Sequence, residues 1–356
     1  MRYVLGFLAA FAVSALVTPV IARLARRWGA VDIPLAEPRK RHPRPTPLLG
    51  GTAIFFSVTA VTLFVLSFTD LLPAPFLSLR QIAALTIGGA ILIVGGALDD
   101  RHRLSPSRQF VFPALAAAIA VLGGVSIDYV RDPFGGQIDL NLLTVPVFGW
   151  MMSLPADPLT FLWLLGMMYT TKFLDGLDGL VVSVSVVAAT VMIALALRPD
   201  LYQPETALFS AILDGALVGF LIWNFPPARV FLGEGGSTYA GFMIGSLAVA
   251  AGSKVATTLL VLGIPIMDVA WVVVRRLFWE RRSPAAADRK HLHFRLLDAG
   301  LSAREAVLLL TAISAVFGLA GLFLDTAHKA LALIVLALVM IGLAAFVIRK
   351  YRSTLV

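Results

Sequence analysis

The sequence predicts an all-α fold, a polytopic membrane bundle of about eleven transmembrane helices whose polar chemistry sits in the loops of one face. Composition is the first reason. Of 356 residues, 59% are hydrophobic and 14% charged, with a mean hydropathy of +0.88. A soluble domain carries ~45–50% apolar and ~25% charged residues, so this chain cannot clothe a soluble surface. The second reason is that the apolar runs are long and do not alternate with polar residues, which favours helices over a barrel. Cysteine is absent and glycine has no fixed period, which excludes disulfide scaffolds and fibres. The third reason is where the Lys and Arg fall, treated below.

Taken in order, the apolar runs lie at 3–24, 49–69, 81–98, 109–126, 157–172, 179–197, 206–223, 238–253, 255–274, 305–324 and 329–348. Each approaches the ~20 residues a spanning helix needs. Arg23, Arg26 and Arg27 follow the first run with no small-residue cleavage site, so it reads as a retained span. Residues 127–156 do not fit a helix; Phe134 to Leu140 reads as a turn with a short strand, an expected small extracytoplasmic hairpin. The whole of 1–356 reads as one membrane-embedded domain.

The loops alternate in charge. Those at 25–48, 99–108, 172–178, 224–237, 275–304 and 349–356, with Arg23, hold 23 of the 29 Lys and Arg. By the positive-inside rule these are cytoplasmic, with the N-terminus outside and the C-terminus inside. Orientation, anionic lipid and an anionic substrate account for the net charge of +8 without nucleic acid.

Every unusual polar cluster falls in these basic loops. The first loop carries Arg39-Lys40-Arg41-His42, then Pro45-Thr46-Pro47 and Gly50-Gly51. A plain charge anchor explains the cations, while the prolines and glycines suggest backbone shaped to approach a ligand. The third run ends in Asp99-Asp100-Arg101. Adjacent acids are unfavourable at a helix C-terminus, which suggests a task such as cation binding or proton acceptance. Asp175-Gly176-Leu177-Asp178-Gly179-Leu180 repeats Asp-Gly-Leu without a gap, and on a helical turn its two acids share a face. Asn224-Phe225-Pro226-Pro227-Ala228 leads to Gly233-Glu234-Gly235-Gly236-Ser237, read as a glycine-rich segment just before a helix and suited to phosphate, with Glu234 able to add a cation. Asp288 to Arg295 contains His291 and His293 among three cations, an anion or sugar-phosphate pattern. A zinc site there lacks a third ligand and any cysteine. Asp214 and Asp268 lie within spans, where an acid ordinarily has a partner or a role; Asp268 is near the cytoplasmic end, where it can structure the site.

In this order the clusters resemble the polyprenyl-phosphate N-acetylhexosamine-1-phosphate transferases, over nearly the whole chain. The Asp175–Leu180 repeat is the most specific match. The Asn224–Ala228 and Phe231–Ser237 motif, the Asp99-Asp100-Arg101 pair, Arg39–His42 with Pro47–Gly51, and the His loop agree with it. Ser283-Pro284, Ala299-Gly300 and eleven spans look more like the GlcNAc branch than the phospho-MurNAc-pentapeptide translocase branch. Three positions depart from the family pattern: Lys172 stands where Asn is usual, Glu234 where Asp serves as magnesium ligand, and Phe294 where His is usual.

The resemblance implies transfer of a sugar-1-phosphate from a UDP-N-acetylhexosamine to undecaprenyl or another polyprenyl phosphate in the bacterial cytoplasmic membrane, with UMP released. It implies Mg²⁺, with Mn²⁺ as a substitute, and, through the translocase branch, a homodimer. Under it Glu234 is the first metal ligand and Asp178 or Asp175 the second. Asp99, with Asp100 beside it, deprotonates or orients the lipid phosphate. Asn224 and the 175–179 turn position the nucleotide. Lys40, Lys172 and Arg101 meet phosphate oxygens, and His291, His293 and Arg295 meet the diphosphate or sugar. Two phosphate-bearing anions must meet in line, so this concentration of cations is what the chemistry requires. A transporter is the rival class; it predicts acids near the bilayer midplane and an internal repeat, and here the acids cluster on one face and no repeat is evident.

Overall fold

The computed structural model describes residues 1–34, 44–69, 71, 77–132, 135–147, 149–250, 252, 255–281 and 291–353, the last seven by backbone alone. Lys40 with its neighbours Arg39, Arg41 and His42, the pair Ser283-Pro284, and Asp288 to Lys290 lie outside the described residues. The chain runs α1 (Arg2–Trp28), β1 (Val31–Asp32), β2 (Thr46–Pro47), α2 (Gly50–Phe68), α3 (Leu79–His102) and α4 (Pro106–Leu122). Then come β3 (Tyr129–Arg131), β4 (Gln137–Asp139), β5 (Asn141–Val147), β6 (Trp150–Pro155), α5 (Ala156–Leu174), α6 (Leu180–Ala196), α7 (Pro204–Asn224) and α8 (Gly233–Ala250). The last part is α9 (Val255–Val261), α10 (Gly263–Val274) running into a π-helical turn Arg275–Glu280, α11 (Leu292–Asp298), α12 (Ala303–Phe323) and α13 (Thr326–Ser353).

The described residues are mostly helical, and each of the eleven apolar runs overlaps a helix. By length and composition, however, six helices suffice to cross a membrane (α1, α2, α3, α7, α12 and α13), or seven if α9 and α10 form one broken span. At 1.5 Å per residue, 17-residue α4 and α6 reach only ~26 Å of the ~30 Å hydrocarbon core. The run at 255–274 is not one straight span. It bends by 81° between α9 and α10, where Gly263 is followed closely by Pro265, which has no N–H to continue the ladder. The 127–156 segment forms two antiparallel hairpins rather than one, β3 with β4 and β5 with β6.

α8 is the centre of the bundle: from Gly235 to Val249 every residue is buried. α5, α3, α2 and α6 pack around it, and α1 lies along α7. The outer surface is apolar instead, with Phe323 87% exposed, Phe68 74% and Leu16 72%. This inverted pattern suits a lipid environment. Apolar lipid gives little hydrophobic drive between helices, so association depends on close packing of small residues. The chain supplies it where α2, α3 and α8 meet. Gly96 lies against the backbone of Gly235, and Gly51 against that of Gly236, with no room for a Cβ at either contact.

These contacts revise the reading of two motifs. Gly233–Ser237 is the first turn of α8, not a loop before it, and Gly235 and Gly236 serve helix packing rather than phosphate. Gly50 and Gly51 likewise approach protein, donating their N–H groups to Phe231 O at 3.0 Å and Leu232 O at 2.8 Å. Pro47 O accepts from Phe231 N at 2.9 Å, so the far end of the first loop is pinned to the start of α8.

Candidate active site

α3, α5 and α7 end, and α4, α6 and α8 begin, at one end of the bundle. That alternation gathers the polar motifs around a cavity of about 2070 Å³. Its lining includes Asp99, Asp100, Arg101, Lys172, Asp175, Asp178, Asn224, Glu234 and His291 from the expected set. Arg23, Arg26, Arg44, Arg103, Arg229, Arg276 and Arg304 add further cations to the lining. His293 and Arg295 are not part of it.

The paired aspartates divide their work. Asp99 Oδ1 accepts from Leu104 N at 2.7 Å and from Gln109 Nε2 at 3.0 Å, closing the turn between α3 and α4. With that oxygen engaged in the turn, Asp99 is better placed as a positioning residue than as the expected base. Asp100 Oδ1 accepts from Glu234 N at 3.2 Å, so its carboxylate stands at the N-terminus of α8. The positive end of that helix partly offsets the unfavourable end of α3. Asp100 Oδ2 is buried with no hydrogen-bond partner.

The Asp-Gly repeat is a turn, not helix, so its acids do not share a helical face. Gly179 closes it at φ 72, a left-handed conformation that glycine adopts without Cβ strain. Gly179 N donates to Asn224 Oδ1 at 3.0 Å, and Asn224 Nδ2 donates to Val230 O at 2.9 Å. Asp178 Oδ2 accepts from Ala228 N at 2.9 Å. Asn224 and Asp178 therefore clamp the 175–179 turn to the 225–230 loop, where one had been expected at the nucleotide and the other at a metal. Asp175 lines the cavity with Asp99, Asp100, Asp178 and Glu234, and is the most exposed of these acids. Burial of its surroundings, then the charges of Glu234, Asp100 and Asp178, hold its carboxyl well above the usual carboxylate range.

Lys172 is paired with Glu234 and donates to Gln109 Oε1 at 2.9 Å. Gln109 Nε2 is shared between Asp99 Oδ1 and Leu104 O, each at 3.0 Å. Asp99, Gln109, Lys172 and Glu234 thus form one chain of polar contacts across α3, α4, α5 and α8. Sequence reading missed Gln109; its only signal is a lone amide in the first turns of an apolar helix.

The two histidines differ. His291 Nδ1 lies 2.7 Å from Asp268 Oδ2, while Asp268 Oδ1 accepts from Leu292 N at 2.9 Å. Asp268 therefore fixes the ring of His291 and the start of α11, which gives the buried acid of α10 its role. His293 is 1% exposed, its Nε2 has no partner, and it stands directly behind Gly176. Burial, reinforced by His291 and opposed by Asp268, pushes its pKa down to about 4. It is a neutral buttress of the turn at pH 7, not a phosphate-binding cation. Asp214, in α7, accepts from Thr190 Oγ1 at 3.1 Å, away from the cavity.

Among the described residues no three His, Asp or Glu side chains stand ready to hold a metal ion. Mg²⁺ needs less, since it commonly takes one or two carboxylates and completes its shell with water and substrate phosphate. Asp175 within electrostatic reach of Glu234, Asp100 and Asp178, with the unpartnered Asp100 Oδ2, fits that mode.

Comparison with known proteins places the site in context. The family model described as Glycosyl transferase family 4 matches residues 82–252, which contain most of these motifs. The chain is 31% identical over 346 residues to the Bacillus subtilis (strain 168) protein named "Probable undecaprenyl-phosphate N-acetylglucosaminyl 1-phosphate transferase", covering 96% of this chain and 90% of that one. This chain belongs to glycosyl transferase family 4. Within that family it is also 31% identical to the decaprenyl-phosphate N-acetylglucosaminephosphotransferase of Mycolicibacterium smegmatis, over 81% of this chain and 73% of the relative. A phospho-N-acetylmuramoyl-pentapeptide-transferase of Halalkalibacterium halodurans is more distant, at 25% identity over 90% and 97%. As a glycosyl transferase family 4 member with several apolar spanning helices, the protein is a multi-pass membrane sugar-phosphate transferase.

Proposed function

We propose that this transferase moves N-acetylglucosamine-1-phosphate from UDP-N-acetylglucosamine to undecaprenyl phosphate, releasing UMP and starting a cell-envelope polysaccharide. The observation that carries the reading is a cation-lined cavity with Asp175 open to it, at one end of an apolar bundle. The apolar body suits a polyprenyl chain, and the cations suit a nucleotide diphosphate. A phosphate monoester carries ~−1.5 to −2 at pH 7, so two anions can meet only where positive charge screens them.

In the proposed reaction a lipid-phosphate oxygen attacks the sugar-bearing phosphorus of the UDP-sugar. A new P–O bond forms, the bond to the bridging oxygen breaks, and UMP departs with that oxygen. A lipid phosphate already ionised at pH 7 needs no base, in keeping with Asp99 being held in its turn. Lys172, Arg101 and, from the first loop, Lys40 bind phosphate oxygens, and His291, held by Asp268, meets the diphosphate or sugar. Glu234 and Asp175, with Asp100 beside them, would hold Mg²⁺ or Mn²⁺, which supplies charge neutralisation on the diphosphate. Asp178 and Asn224 keep the turn in shape.

The eleven helical segments would all cross or enter the bacterial cytoplasmic membrane, with this site on the cytoplasmic face, the N-terminus outside and the C-terminus inside, in a homodimer. The experiment is UMP release by purified protein from a panel of UDP-sugars, with and without undecaprenyl phosphate. The reading expects lipid-dependent UMP with UDP-N-acetylglucosamine foremost; UDP-N-acetylgalactosamine in first place would change the sugar alone. A transporter would release none.

A further inference from the structure

Lys172 and Glu234, two of the positions that depart from the family pattern, are each other's partner. Their side chains are 14% and 24% exposed, and both line the cavity. The pair is a built feature rather than a chance surface contact, because Gln109 orients it. Both donor positions of Gln109 face acceptors, Asp99 Oδ1 and Leu104 O, so its carbonyl oxygen is turned toward Lys172. The ammonium is thus gripped from two sides, by a neutral acceptor and by a carboxylate. The Tyr169 ring, 5.7 Å from Nζ, covers it further.

A cation on Glu234 competes with any other cation for the same oxygens. We propose that Lys172 is a resident counter-cation on Glu234 that a divalent ion must displace, and that this exchange sets the site's metal affinity. The inference rests on Glu234 as a metal ligand, as in the proposed function. When the metal takes Glu234, Lys172 keeps its hold on Gln109 and turns its freed charge to an incoming phosphate. Metal and substrate phosphate then enter as a matched pair: the carboxylate exchanges ammonium for metal, and the ammonium exchanges carboxylate for phosphate. Before substrate arrives, Lys172 offsets part of the charge of the carboxylates around Asp175, so the empty site has a weaker hold on divalent ions than its acid content suggests.

The test is Mn²⁺ binding to the purified full-length protein without substrate, followed by electron paramagnetic resonance of the free ion. Lys172→Gln should bind Mn²⁺ at least ~10-fold more tightly than wild type, a change of about 1.4 kcal/mol. Lys172→Arg, which keeps the charge, should stay near wild type, and Glu234→Gln should bind most weakly. Lys172→Met repeats the neutral substitution if Lys172→Gln does not purify as a folded protein. In the transfer assay, Lys172→Gln should need less Mg²⁺ for half-maximal rate. Neutral variants that bind Mn²⁺ no more tightly than wild type overturn the proposal, as does Glu234→Gln with wild-type affinity. If those results appear while lipid-dependent UMP release persists, the exchange is wrong and the reaction assignment stands. Absence of UMP release, with the Mn²⁺ pattern intact, overturns the reaction and leaves the exchange.

Discussion

Gly176→Ala probes how tightly the 175–179 turn is seated. A Cβ at Gly176 would fall on the His293 ring, in contact with Nε2 and within 2.9 Å of Cδ2 and 3.0 Å of Cε1. His293 has little room to retreat, because it is 1% exposed and stacked on His291 at 5.5 Å between ring centres. The turn must move instead, and Asp175 and Asp178 move with it. Overpacking of this kind costs ~1–3 kcal/mol. A displacement near 1 Å at the reacting groups lowers turnover by roughly 100-fold. The assay is UMP release together with the thermal midpoint, for Gly176→Ala, His293→Ala and the double variant. Removing the ring makes room for the new methyl, so the double variant should recover ~1–2 kcal/mol relative to the sum of the singles. A Gly176→Ala protein with wild-type turnover and midpoint, or singles that simply add, would refute this packing.

Asp175→Asn should abolish transfer while the protein stays folded, whereas Asp99→Asn, which keeps an oxygen acceptor for Leu104 N and Gln109, should retain at least roughly a tenth of wild-type turnover; equal losses would return Asp99 to a direct chemical role. Asp268→Asn should lower turnover by roughly 10- to 100-fold through a misaligned His291, by analogy with supporting carboxylates behind ligating histidines, and unchanged turnover would separate Asp268 from the chemistry. His293, held at about 4 against 6.5 when free, should make the fold less stable as pH falls from 6.5 toward 4, because the unfolded chain takes up a proton that the buried ring refuses. Asp175, with its raised carboxyl, acts with the opposite sign, so the His293 part is read as the difference between wild type and His293→Gln at each pH; equal slopes would contradict it. The absence of cysteine allows single-cysteine mapping in intact cells: a membrane-impermeant maleimide should label Leu142→Cys from outside and Ser105→Cys only after lysis, and the reverse would invert the orientation.

Hydropathy located the helices because a bilayer demands long apolar runs, and every run overlaps a helix. It did not reveal the 81° break at Leu262, since a bent span is as apolar as a straight one; Gly263 and Pro265 were the local signal. The site motifs were legible as clusters because acids are rare in this apolar chain, 21 of 356 residues. Their division of labour was not legible, because it depends on contacts between distant segments. Asp178 reaches Ala228, Asp100 reaches the start of α8, and Asp268 reaches His291, pairings that spacing alone does not encode. The glycines were the most misleading: Gly51, Gly235 and Gly236 read as ligand cradles in sequence and are points of helix-to-helix contact, Gly51 against Gly236 and Gly235 against Gly96.

The central claim is that phosphate travels with the sugar. It is tested most directly with UDP-N-acetylglucosamine labelled at the sugar-bearing phosphorus, incubated with purified protein and undecaprenyl phosphate. The account predicts that label passes into the lipid fraction with one UMP released per transfer, and that Asp175→Asn stops both. Release of UDP with unlabelled lipid, or no lipid-dependent release of UMP, would contradict it.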